Sequence, residues 1–125
     1  MILERRMRIY YSSGSDPMLL DTRANLHKLG AELFAYLQST ATAAAFAADV
    51  DGAADPYDEL LPGLRLQKTN AKVSLSLAPD RWLMLSGKPD ELALCSERFF
   101  VQEEDGHVHL YTGPVSLIIE SDSRE

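Results

Sequence analysis

The sequence predicts an α+β fold: a mostly antiparallel sheet with two helices packed on one face. Three observations predict it. Two segments repeat apolar residues at helical spacing, several short runs alternate apolar with polar residues, and clusters of Gly, Pro, Asn and Asp separate them. The chain has 125 residues, 46% hydrophobic and 25% charged, which fits one soluble domain over residues 1–125. A domain of that size buries about two-thirds of its unfolded surface and needs no disulfide or metal staple.

Taken in order, "MRIYYSS" from Met7 to Ser13 is strand-prone and ends in the turn-forming "SSGSD". Asp16 then precedes Pro17, a good helix cap followed by the residue best tolerated at the first helical position. Leu19, Leu26, Leu29, Leu33 and Leu37 recur at three, four and seven, so a helix is predicted from there to near Gln38. Gly30 inside it costs about 1 kcal/mol against alanine, unless close packing against the sheet requires a small residue. "TATAAAFAADV" is ambiguous: alanine favours helix, but a strand fits if Phe46 and Val50 point inward.

After the turn-rich "GAADPYDELLPG" come "LRLQKT", "KVSLSL" and "RWLMLS". The first two alternate through Leu64, Leu66, Val73, Leu75 and Leu77, and tight turns fit Thr69–Ala71 and Ala78–Asp80. An antiparallel meander with one wet face is expected. Pro89 opens a second helix with Leu92, Cys95 and Phe99 inward and Leu94 or Phe100 on its flank. "HVHLY" and "VSLII" read as closing strands joined by "TGP". "IYYSSGSDPMLL" and "LMLSGKPDEL" share strand, Ser-Gly and a proline at a helix start, so the fold is compatible with duplicated strand–helix–strand–strand units.

Nineteen acids against twelve bases give a formal charge of −7, which argues against nucleic-acid binding. The small cluster Arg5, Arg6 and Arg8 is expected to border a strand. No export signal is visible, and Asp49 closes the alanine run far short of a membrane span, so a cytoplasmic protein without a membrane partner is expected. One cysteine, Cys95, excludes an intrachain disulfide; among apolar neighbours it is expected to be a reduced, buried thiol.

His107 and His109 alternate with Val108 and Leu110, so both imidazoles share one strand face. Two histidines could begin a metal site, but zinc needs further ligands. His27 lies on the long helix, and no acid follows the pair until Glu120. Cupins, which also use His-x-His, place a glutamate within a few residues. A solvent-facing strand is the stronger expectation, with no cofactor.

"DVDGAADPYDEL" begins like a calcium loop, but Ala53, Ala54 and Leu60 stand where a ligand, the turn glycine and the last carboxylate belong. "SGKPD" lacks the upstream glycine and the hydroxyl residue of a phosphate loop, and "SSGSDP" is no nucleophile elbow. Cys95 on a buried helix face is a poor nucleophile. No acid–base pair stands out, so an enzyme is not expected. The acids instead bunch as Asp49, Asp51, Asp55, Asp58, Glu59, then Glu103, Glu104, Asp105, then Glu120, Asp122, Glu125. Tyr57, an aromatic inside the first group, has the character of an interface anchor, or else packs down to pin a long loop. The first two groups with Tyr57 are the expected partner-binding residues.

The succession "ANLHKLGAEL", "DPYDELLPGLRLQKT", "LMLSGKPDELALCSERF", "GHVHLY" and "SLIIE" resembles immunity protein thirty-two, a family of bacterial polymorphic toxin systems. The shared pattern is a strand ending near Ser-Gly, a leucine-spaced helix, a late His-x-His strand and a final apolar strand, over most of the chain. The resemblance implies binding and stoichiometric blockade of a cognate toxin, and carries no catalytic residue. A basic toxin suits an acidic inhibitor. Two other classes stay open on the sequence: a generic protein-interaction or structural module, and a small metal-binding enzyme using His107 and His109. Oligomeric state is not legible.

Overall fold

The computed structural model describes residues 7–113 and 115–123. Along them lie β1 (Arg8–Tyr11), β2 (Met18–Asp21), α1 (Arg23–Gln38), β3 (Ala43–Ala47), β4 (Glu59–Leu60), β5 (Gly63–Lys68), β6 (Ser74–Leu77), β7 (Leu83–Gly87), α2 (Pro89–Glu97), β8 (Gly106–Tyr111) and β9 (Ser116–Ser121). Arg5, Arg6, Pro114 and Glu125, which entered the sequence expectations, lie outside the described residues; Arg8 opens β1.

The fold is α+β, and its strands form two mixed sheets where the sequence led us to expect one. One sheet runs β4-β1-β2-β9-β8, the other β3-β5-β7-β6. Neighbours are antiparallel except β2–β9 and β5–β7. The split arises in one run of chain. The Leu61 N–H still bonds the Ile9 carbonyl of the first sheet, while the Pro62 carbonyl takes the Ala48 N–H towards the second. Pro62 has no N–H for either ladder, and Gly63 lets the chain turn beneath Trp82, whose ring would lie 2.2 Å from any added Cβ.

The inner faces of both sheets and the two helices share one core. Ile9, Leu19 and Leu117 meet Leu64, Leu66 and Leu85 there, with Leu26 and Leu33 of α1 and Leu92 of α2. The helices pack on each other. Gly30 is indeed a close-packing position, but its neighbour is the Phe100 ring and not a sheet; an added Cβ would sit 2.9 Å from that ring.

Three further expectations are corrected. Pro17 does not open the helix: Met18–Asp21 is a strand with β1 on one side and β9 on the other. Leu19 lies seven residues before Leu26 and fits either reading, but pairing on both sides secures the strand. The helix begins later, where Thr22 Oγ1 accepts the Asn25 N–H at 3.1 Å and Asp21 Oδ1 accepts the Thr22 N–H at 2.7 Å. Asp16 instead accepts the Ser116 N–H, tying the end of the first hairpin to β9.

The meander is not formed either. β5 lies parallel to β7, and β6 pairs with β7 from the far side. Residues Thr69–Val73 therefore cross the end of β7, where the Val73 backbone passes over Gly87. Alternation fixed which side chains face inward, but not the order of the strands. The turn at Ala78–Asp80 does join β6 to β7 as a hairpin. Finally, Pro17 leads into a strand and Pro89 into α2, so the two segments matched in sequence are not equivalent. The duplication itself is present, because β2-α1-β3-β5 and β7-α2-β8-β9 pair alike, with β2–β9 and β7–β5 parallel and β3–β5 and β8–β9 antiparallel.

The ambiguous alanine run is strand β3, an edge strand with Phe46 half-buried and Val50 exposed beyond it. α2 buries Leu92 and Cys95, with Phe99 just after it, as the spacing predicts. β8 and β9 form the expected hairpin.

Candidate functional site

The two acidic groups lie at opposite edges of the five-stranded sheet. Glu59 begins β4 at one edge, and Glu103–Asp105 lead into β8 at the other. Four strand spacings separate those edges, about 19 Å. A partner touching both would span the whole sheet.

The first group hangs from a loop held at several points. The Asp49 N–H bonds the Met7 carbonyl, and its carboxylate approaches the Arg8 guanidinium at 3.5 Å. Gly52, at φ +105°, passes close to the same guanidinium, where a side chain would be strained. Tyr57 lays its ring 5.5 Å from that of Tyr10 and points its hydroxyl at Met18 Sδ. The Asp58 N–H reaches the Tyr11 carbonyl and the Ser12 hydroxyl, both at 3.0 Å. Glu59 takes two N–H groups of Arg81, which also lies 5.7 Å over the Tyr11 ring.

This sorts the expected binding residues. Tyr57 is half-buried and pins the loop, the second of its two sequence readings. Asp49 and Glu59 spend their carboxylates on arginines. Asp51, Asp55 and Asp58 remain exposed. At the far edge Glu103 and Glu104 are exposed, whereas Asp105 accepts the N–H and hydroxyl of Ser123. Arg8–Asp49 and Arg81–Glu59 are solvated surface pairs, so neither adds much to stability. Their main effect is to fix where the loop sits.

Between the edges, the outer face of the sheet carries Tyr10, Met18, Ile118 and His109 in one cross-strand row. His107, His109 and Tyr111 line up along β8; the imidazoles lie 5.4 Å apart and His109 stacks on Tyr111 at 5.7 Å. Glu120 pairs across from His107. Even so, no group of three or more His, Cys, Asp or Glu among the described residues is placed to hold a metal ion. His27 is engaged elsewhere: its Nε2 lies 2.7 Å from the Val101 carbonyl, beside Phe100.

Cys95 is buried, and burial pushes its thiol up to about 11. The folded state thus favours the neutral thiol. It contributes stability that is complete below about pH 9 and is lost as pH rises towards 11, because the unfolded thiol ionises first. At pH 8, a disulfide exchange reagent is expected to label Cys95 at least 10-fold more slowly in the folded protein than in denaturant. Equal rates would mean an accessible thiolate.

Sequence reasoning missed a second surface, between α2 and β8. Leu94 and Tyr111 are exposed by 64% and 71%, and both line a cleft of about 420 Å³ with Cys95, Glu97, Arg98 and Leu110. A neighbouring cleft of about 330 Å³ continues past Glu97 and Arg98 to Phe100, Glu103, Gly106 and Val108. The signal in the sequence was Leu94, apolar but off the inward stripe of its helix. No helix among the described residues is long and apolar enough to cross a membrane. No protein-family model, curated protein or solved structure matches the chain.

Proposed function

We propose that this protein is an immunity protein, which binds a basic bacterial toxin in stoichiometric complex and blocks it without chemistry of its own. One observation carries the reading: Asp51, Asp55 and Asp58 are exposed on a loop already fixed by Tyr57 and the Glu59–Arg81 pair. A charged surface held before binding loses little conformational freedom on association. Its field, within a chain of charge −7, accelerates encounter with a basic protein. The proposed place of action is the cytoplasm, in keeping with a single reduced cysteine.

The test is co-expression with the product of the adjacent reading frame in a host whose growth that product arrests. Restored growth and a one-to-one complex are expected. Replacing Asp51, Asp55 and Asp58 together by lysine is expected to slow association on the order of 10-fold or more at low salt, and to flatten its salt dependence. Glu59 is left in place, because reversing it would also strand Arg81. Growth that stays arrested, or association rates unchanged by the triple replacement, would overturn the proposal.

A further inference from the structure

We infer that the groove between α2 and the free edge of β8 receives an extended, basic segment of the partner protein, which adds to the five-stranded sheet as a further strand. The inference rests on the binding role proposed above and names a second contact, remote from the acidic loop.

The direction of the backbone groups carries the argument. The N–H groups of Ile118 and Asp122 bond carbonyls on the β2 side, so alternate residues of β9 face β2. Leu117, Ile119 and Ser121 therefore face β8, where they pair with Leu110, Val108 and Gly106. That leaves the N–H and C=O groups of His107, His109 and Tyr111 directed away from the sheet. β8 is the last strand in its sheet, and no strand among the described residues pairs with that side. An outward row of donors and acceptors over six residues, about 20 Å, is a template for strand addition.

The groove beside the edge says what kind of strand fits. At the Tyr111 end it carries Leu94 and Leu110 beside the charged pair Glu97 and Arg98. Towards the Gly106 end, Glu103 joins that pair in the wall and Glu104 is exposed next to it, so this end gains negative charge. An incoming segment would place lysine or arginine over Gly106 and apolar side chains beneath Leu94. A second copy of this chain, at a charge of −7, would offer from β8 a strand with no lysine or arginine, which disfavours it as the occupant.

The probe is a fluorescent octapeptide of alternating lysine and valine, titrated into the full-length protein. The control carries proline in place of valine: the charge is the same, but those positions lack the N–H a ladder needs. Saturable binding is expected for the valine peptide, at least 10-fold tighter than for the control, with slowed amide exchange at His107, His109 and Tyr111. His109→Pro, which removes an outward N–H from an edge strand, is expected to weaken binding at least 10-fold. Should that variant unfold, Leu94→Lys on the exposed face of α2 is expected to weaken it about 10-fold.

Equal affinity for both peptides, protection elsewhere on the protein, or unchanged binding by the folded variants would overturn the inference. So would amides at the β8 edge already protected in a concentration-dependent dimer, which would assign the edge to a second copy. Protection of growth without any strand binding would sink this inference and leave the immunity reading standing. Strand binding without protection of growth would sink that reading instead.

Discussion

Phe99→Ala is expected to lower stability by about 3–5 kcal/mol, the range for emptying the site of a large buried aromatic ring. Phe99 is fully buried just beyond the last turn of α2, in the core shared by both sheets. Its backbone N–H bonds the Ser96 carbonyl, so local hydrogen bonding holds the ring in place and limits how far neighbours can collapse into the space. In a domain of this size the loss corresponds to a fall in melting temperature on the order of 15 °C. Thermal denaturation followed by circular dichroism checks it. A loss below about 1 kcal/mol would mean that Phe99 is not a core residue.

Gly87→Ala is expected to cost about 1–3 kcal/mol, the range for overpacking. The added Cβ would lie 2.7 Å from Val73 Cα, which is backbone and not the free end of a side chain. Val73 has little room to retreat. Its N–H is held by Glu91 of α2 at 2.8 Å, and Gly87 itself accepts the Thr69 N–H at the start of the crossing segment. Chemical denaturation compares the variant with Ser86→Ala, one residue earlier, where the backbone already carries a Cβ. Equal midpoints for the two would show that the crossing segment yields freely.

Much of the fold was legible in the sequence, and the failures share a cause. Periodicity reports which side of an element faces the core, so Leu64, Leu66 and Leu75, read from alternation, are buried as expected. It carries no information about neighbours, so the parallel pairing of β5 with β7 and the division into two sheets were missed. Leu19 satisfied both a helical and a strand reading, and only its pairing with β1 and β9 decided between them.

The first two acidic groups were legible as surface because charged side chains seldom bury unpaired, whereas Asp122 of the third is buried. Which acids are committed was not. Arg8 meets Asp49 across 41 residues of chain, and Arg81 meets Glu59 across 22. The groove beside β8 was hidden for the same reason, since it exists only where a helix and an edge strand come together.

The bent run from β4 into β5 has a further consequence. One length of backbone serves both layers, so a pull on the acidic loop at its start travels through covalent bonds into the far layer, without relying on side-chain friction. A force applied at Asp55 or Asp58 would therefore reach both layers along the chain.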